Sequence, residues 1–284
     1  MAGRRLSLSA VFVIESLKED DYHTGRRVFE GLESFVAGLQ PPIHVRYTPV
    51  GTKREFFHTL QVIAEEARLC SRIPILQVEA HGCDKGIEVT SGEFIEWAEL
   101  KDAFAEINAI TGLNLLVVMS ACEGAHLLSI IQPADRAPVY AMIGPHRVVK
   151  AREIEVGSLA FYRTLFEKAD GIAAWQAMND AINPHSRTFS LFPAEYWFRE
   201  AYRRFQKELC SEQALSQREN SFLQKQPPDV PREIVEQRRQ LFRAYIRDFP
   251  ARFAEFKSHF FFCDLYPDNV TRFTISFEDC TKAP

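Results

Sequence analysis

The first two thirds of the chain alternate between two hydrophobic periods, and no other feature restricts the fold as much. Leu8 to Ile14 is a short apolar run rich in Val, Ile and Phe, and reads as a buried strand. Val28, Leu32, Phe35, Val36 and Leu39 follow at the spacing of one helical face, stopped by Pro41 and Pro42. Ile43 to Val50 reads as a second strand. Thr52 and Glu55 have capping-box spacing and open a helix with Phe56, Leu60, Ile63 and Ala67 inward. Ile73 to Ala80 is the third strand, followed by a loop or short hairpin around Gly86 and Gly92. Trp97, Leu100, Phe104, Ile107 and Ile110 form another helical stripe, closed by Gly112 at the C′ position. Leu113 to Met119 and Val139 to Ile143 are the next strands, with a helix from about Val156 to Ala169 after them. Strands alternating with helices of this length predict an α/β fold, a mostly parallel central sheet with helices on both faces. Such sheets carry their functional groups at the carboxyl ends of the strands.

The last third reads differently. Fourteen of the 23 phenylalanines fall within residues 189–284. Helical stripes recur at Tyr196 to Phe205 and Ile234 to Phe249. Residues 211–231 are polar, end in Pro227, Pro228 and Pro231, and read as a linker or long loop. Phe260 to Leu265 and Arg272 to Phe277 flank Pro267-Asp268-Asn269, which predicts a terminal hairpin. The expected organisation is a domain over residues 1–210 and a mainly helical, Phe-rich extension over 211–284. The phenylalanine stripes read as core, with Phe260-Phe261-Phe262 also a candidate for docking a partner. Arg239, Arg243 and Arg247, with Arg238 beside them, read as a solvated face with acidic neighbours. Residues 211–284 hold 11 basic and 11 acidic side chains, which favours that reading over nucleic-acid binding.

Across 284 residues the net charge is −4, which excludes a generally basic nucleic-acid binder. There is no phosphate-binding glycine loop and so no case for a nucleotide enzyme. No apolar run approaches a membrane span. Arg4 and Arg5 precede an apolar stretch, but Ser7 and Ser9 interrupt it and Glu15 ends it, unlike a secretory signal. The six cysteines, at 70, 83, 122, 210, 263 and 280, contain no Cys-x-x-Cys pair. They read as free thiols of a reducing compartment, and the expected location is the cytoplasm.

Two strand ends carry candidate chemistry. The third strand ends at His81-Gly82, and the fourth at Ser120-Ala121-Cys122-Glu123-Gly124. On neighbouring parallel strands, an imidazole and a thiol emerge on one rim. A free thiol is mostly protonated at neutral pH, and a nearby imidazole can take its proton and make the nucleophile. Attack on an amide carbonyl creates an oxyanion that needs donors, for which the N–H groups of Gly82 and Cys122 are candidates. Two alternatives accompany this reading. His81, Cys83, Cys122 and His126 together offer four ligands of the kind zinc takes, and His126 stands four residues past Cys122, on the same helical face. The chain could also keep the fold as a scaffold or binding protein without activity.

A strand ending in His-Gly and, 41 residues after the histidine, a thiol in an Ala-Cys-x-Gly strand end resemble the caspase-like cysteine peptidases. The Ser120-Ala121-Cys122-Glu123-Gly124-Ala125 form looks most like the bacterial CHAT branch, related to separase, as does Phe161-Tyr162 on a later helix. The likeness covers about residues 5–210. It implies a three-layer sandwich and a peptidase with His81 as base and Cys122 as nucleophile. It also implies an oxyanion hole from the Gly82 and Cys122 amides, and no cofactor. The chain departs from the pattern after the fifth strand, with Gly144-Pro145-His146-Arg147 where Trp and Asp are usual. Relatives select a charged residue at the cleavage position. Asp84, Glu123 and Asp135 would favour a basic residue, whereas His146 and Arg147 would favour an acidic one. The resemblance also implies a protein substrate and a regulated effector role in defence or cell death. A regulator would dock on the extension.

Overall fold

The computed structural model describes residues 8–121, 124–145, 147–227 and 229–281. Packing divides the chain into two units, Met1–Ile130 with Ala137–Ala194, and Ile131–Arg136 with Glu195–Pro284. The domain boundary expected at residue 210 lies inside the second unit.

The first unit runs β1 (Ala10–Ser16), α1 (Thr24–Val36), β2 (His44–Pro49), α2 (Lys53–Cys70), β3 (Pro74–Cys83), β4 (Gly86–Glu88), β5 (Phe94–Glu96), α3 (Trp97–Ile110), β6 (Leu116–Met119), α4 (Leu127–Ile130), β7 (Ala141–Pro145), α5 (Ala151–Lys168), α6 (Gly171–Ile182) and β8 (Phe189–Pro193). The main sheet has the order β2-β1-β3-β6-β7-β8. Its first five strands are parallel and β8 runs antiparallel to β7. The fold is therefore α/β with a mostly parallel, mixed sheet.

Successive strand side chains point to opposite faces. Val11, Val13, Ile75, Leu116, Val118, Ala141 and Ile143 share one core with Val28 and Leu32 of α1, with Ile154, Phe161 and Leu165 of α5, and with Ala174 and Met178 of α6. The strand residues of opposite parity, among them Phe12, Leu76, Val78, Val117 and Met119, are buried too. The second helical layer is α2 and α3, which bury Phe56, Leu60, Ile63, Leu100, Phe104 and Ile107. Thr52 and Glu55 form the expected capping box at the start of α2. Gly112 ends α3 with φ +65, and Leu113 follows at φ 64. This left-handed exit is why β6 starts at Leu116 and not at Leu113.

The second unit is helical: α7 (Ala194–Leu209, its first residue in the first unit), α8 (Glu212–Gln224), α9 (Arg232–Arg247), α10 (Phe249–Phe260), α11 (Asn269–Arg272) and α12 (Phe277–Thr281). The linker expected over 211–231 is mostly helix. Ser211 accepts the Ala214 N–H as its N-cap, and Phe222 stacks on Phe242 of α9 at 4.6 Å. The expected terminal hairpin is absent. Pro267-Asp268-Asn269 opens a helical turn instead, because buried Asn269 donates to Phe261 O at 2.8 Å and Arg272 N to Asp268 O. Phe260, Phe261 and Phe262 do not offer a docking surface. All three are buried, Phe260 and Phe261 against Phe198 and Phe261 on Phe273. The arginine stripe has the acidic neighbours expected of it. Arg239 and Arg243 both pair with Glu219, and Arg247 with Glu212. Among the described residues no helix is long and apolar enough to cross a membrane.

Candidate active site

The rim of interest is the carboxyl end of β3 and β6, which are parallel, hydrogen-bonded neighbours. β3 outruns β6 and folds into the hairpin β4–β5, with His81 opposite Glu88, Gly82 opposite Ile87 and Cys83 opposite Gly86. Gly86 is required there. A Cβ on it would lie 2.0 Å from Ile95 O, so the two hairpin strands approach closer than any side chain permits. Ser16, the last residue of β1, accepts the Thr90 N–H at 2.9 Å and donates to Val50 O at 2.8 Å. The hairpin is thereby tied to the sheet.

His81 is half-exposed, and its Nε2 lies 2.8 Å from Asp21 Oδ2. Asp21 belongs to the β1–α1 connection. The hydrogen bond from His81 holds its carboxyl below the usual carboxylate range, aided by the Lys18 N–H and opposed by partial burial. The amide directions of β3 follow from one contact. Ser120 N donates to Val78 O at 2.8 Å, so the backbone groups of Val78 face β6. Strand backbone groups alternate sides, and Gly82, four residues on, turns its N–H to that same side. That is the side on which an oxyanion donor is expected.

Beneath the rim lies a buried polar layer. Glu15 Oε2 accepts the N–H groups of Gly25 (2.8 Å) and Arg26 (3.2 Å), so a carboxylate from β1 caps α1, whose own N-cap, His23, does not. Tyr47 donates to Glu15 Oε1 at 2.7 Å, and His23 Nδ1 lies 2.9 Å from the same oxygen. Thr24 donates to Glu79 Oε2 at 2.5 Å and Gln77 to Glu79 Oε1 at 2.6 Å. Gln77 also donates to Ser120 Oγ, and accepts from Tyr162 of α5 at 2.7 Å. Burial pushes the Glu79 carboxyl up to about 7, against hydrogen bonds from Thr24, Gln77 and Ser120 that favour the charged form. Burial likewise raises Tyr162 and Tyr47.

Other expected site residues have these places. Cys122, Glu123 and His146 lie outside the described residues. Met119, Ser120 and Ala121 are buried at the end of β6, and the chain continues from Gly124 in a short 3-10 turn to His126, then into α4. A Cβ on Gly124 would lie 2.8 Å from Met119 Cγ, so this turn packs tightly under the strand end. Cys83 shares a strand face with His81 by its i, i+2 spacing, and its sulfur accepts the Lys85 N–H at 3.5 Å. His126 ends the 3-10 turn rather than standing within an α-helix. Among the described residues no group of three His, Cys, Asp or Glu side chains is arranged to hold a metal ion. Asp84 is exposed in the β3–β4 turn. Asp135 belongs to the second unit, where its carboxylate closes a turn on the Gln132 N–H. Arg147 donates to Thr188 Oγ1 at 2.8 Å and to Val148 O at 2.9 Å, and lies 3.5 Å from Glu153.

Sequence reasoning passed over Asp21, Glu15, Glu79 and Gln77. Glu15 and Glu79 had a usable signal, since each interrupts or ends an apolar strand where a carboxylate is expensive. Asp21 had none, because it stands in a polar loop 60 residues from its partner. The chain matches no protein-family model, and no curated protein matches it.

Proposed function

We propose that the chain is a caspase-like cysteine peptidase of CHAT type, with Cys122 as nucleophile and His81 as base. The supporting observation is topological. The His81-Gly82 strand end and the Ala121-Cys122 segment belong to β3 and to the residues just after β6, two strands paired in parallel. His81 takes the Cys122 proton, the thiolate attacks the scissile carbonyl, and the oxyanion accepts from backbone N–H groups, Gly82 among them. His81 returns the proton to the leaving amine, and water hydrolyses the thioester. The substrate is protein, the setting a reducing cytoplasm, and the role a regulated effector of defence or cell death. The extension over residues 211–284 is where a regulator docks.

The test is alkylation of the native protein with iodoacetamide, read peptide by peptide, alongside cleavage of a peptide library. Cys122 labels fast in the native chain and at least about tenfold more slowly in His81→Ala. Exposed Cys70 labels equally in both and serves as the internal control. Cys210, Cys263 and Cys280 label slowly, since burial raises all three thiols. Library cleavage is lost in Cys122→Ala. Cys122 labelling that ignores His81→Ala would reduce the chain to a scaffold. Stoichiometric zinc lost in Cys83→Ala would replace the peptidase reading with a metal site.

A further inference from the structure

The contact between His81 and Asp21 has a chemical consequence for which ring nitrogen acts. Asp21 is held by its own turn, in which Asp21 N donates to Lys18 O at 2.9 Å and Lys18 N donates back to Asp21 Oδ2 at 2.8 Å. The carboxylate is thus aimed before the imidazole meets it. His81 is held from the other direction by β3, whose pairing with β4 extends the strand through Cys83. Its ring meets the carboxylate through Nε2 at 2.8 Å. An ionised carboxylate only accepts, so Nε2 must carry the hydrogen. A neutral imidazole has one hydrogen, so Nδ1 keeps its lone pair.

We propose that Asp21 is a positioning residue that locks His81 in the Nε2–H tautomer and thereby makes Nδ1 the nitrogen that receives the thiol proton. This rests on the peptidase reading above for its catalytic meaning, though not for its geometry. In the step itself the S–H bond of Cys122 breaks, its electron pair stays on sulfur, and the proton forms a bond to Nδ1. The ring becomes an imidazolium whose positive charge lies against Asp21. Later the same proton leaves with the amine and the ring returns to its starting tautomer. Among the described residues, Glu88, directly across in β4, also faces His81 and is already paired with Lys18 at 3.5 Å, and the Cys83 thiol lies two positions on along the same strand face. Asp21 is therefore the carboxylate in hydrogen-bond contact with the ring.

Two measurements on the full chain separate this inference from the one it rests on. With histidine labelled by nitrogen-15, long-range proton–nitrogen spectra distinguish a protonated from a bare ring nitrogen, and His81→Ala assigns the signal. The expected native spectrum has His81 with hydrogen on Nε2 and a bare Nδ1. A neutral ring with hydrogen on Nδ1 and a bare Nε2 would overturn the proposal without any variant having to fold. The second measurement is the rate of Cys122 alkylation as a function of pH. In Asp21→Ala the rate falls about tenfold or more and the pH profile moves, and Asp21→Glu restores part of the loss. An unchanged rate and profile in Asp21→Ala, with His81→Ala still slow, would remove Asp21 from the mechanism and leave the peptidase standing. A Cys122 rate indifferent to His81→Ala would end the peptidase reading, while the spectrum would still decide whether Asp21 sets the tautomer.

Discussion

Glu79 has its carboxyl out of water and opposite a helix N-terminus, and its ionisation is pushed up to about 7 by that burial. An unfolded Glu titrates near 4.5, so between about 4.5 and 7 the folded chain binds more protons than the unfolded one. Stability from this group is therefore fully present below pH 4.5 and declines as pH rises through 7, by up to about 3 kcal/mol. Urea midpoints taken between pH 5 and pH 8 should show that decline in the native chain and a flatter profile in Glu79→Gln. An unaltered slope in the variant would trace the decline to another group. Glu79 stands two positions before His81 on the same strand face, so this buried carboxyl lies beneath the base of the proposed dyad. His81 and Gly82 are legible in the sequence as a strand end. The carboxylate that His81 meets, Asp21, is not, since nothing local distinguishes it from any other loop aspartate.

At the scale of single elements, positions that demand one residue type are the most informative. At the open end of the hairpin β4–β5, the missing Cβ of Gly86 lets Ile95 O approach. Gly86→Ala should destabilise the chain by about 2 kcal/mol, read as a lower urea midpoint. It should also slow Cys122 labelling, since the hairpin holds the end of β3. Helix α5 ends the other way, with Ala169 in the left-handed region at φ 52, where a side chain is strained. Ala169 is exposed and accepts no replacement packing. Ala169→Gly should therefore raise stability by about 0.5–1 kcal/mol in the same assay, and a loss would show that the turn is not strained. The elements most legible in sequence were those with a clean period and a capping signal, such as α2 with its Thr52–Glu55 box. Helix α8 reads as a linker in the sequence because its polar residues outnumber its apolar ones. What orders it is Phe222 on Phe242 and the Glu219 pairs with Arg239 and Arg243, all contacts with a later helix.

Across the whole molecule the two units carry ionisable groups of opposite pH sense. In the second unit Arg136 pairs with Asp264 and holds its carboxyl down to about 2, against an ordinary 3.8. Its contribution is present above pH 3.8 and is lost as pH falls towards 2, the reverse of Glu79. Thermal midpoints of Asp264→Asn should lie below those of the native chain at pH 5 and converge with them near pH 2. A gap that persists at pH 2 would assign the loss to packing. Up to α5 the sequence by itself determined the main strands and helices and their order, whereas α8 and the helical turn at Asn269 depend on contacts with other elements. Strand and helix periods are written in residues a few positions apart, and each apolar stripe must be buried whatever its partner. Only the tertiary structure decided the strand order β2-β1-β3-β6-β7-β8 and the polar contacts across it. Thr24 meets Glu79 across 55 residues and Gln77 meets Tyr162 across 85. Such pairs depend on which strands lie side by side once both faces of the sheet are covered, and no local period encodes that choice.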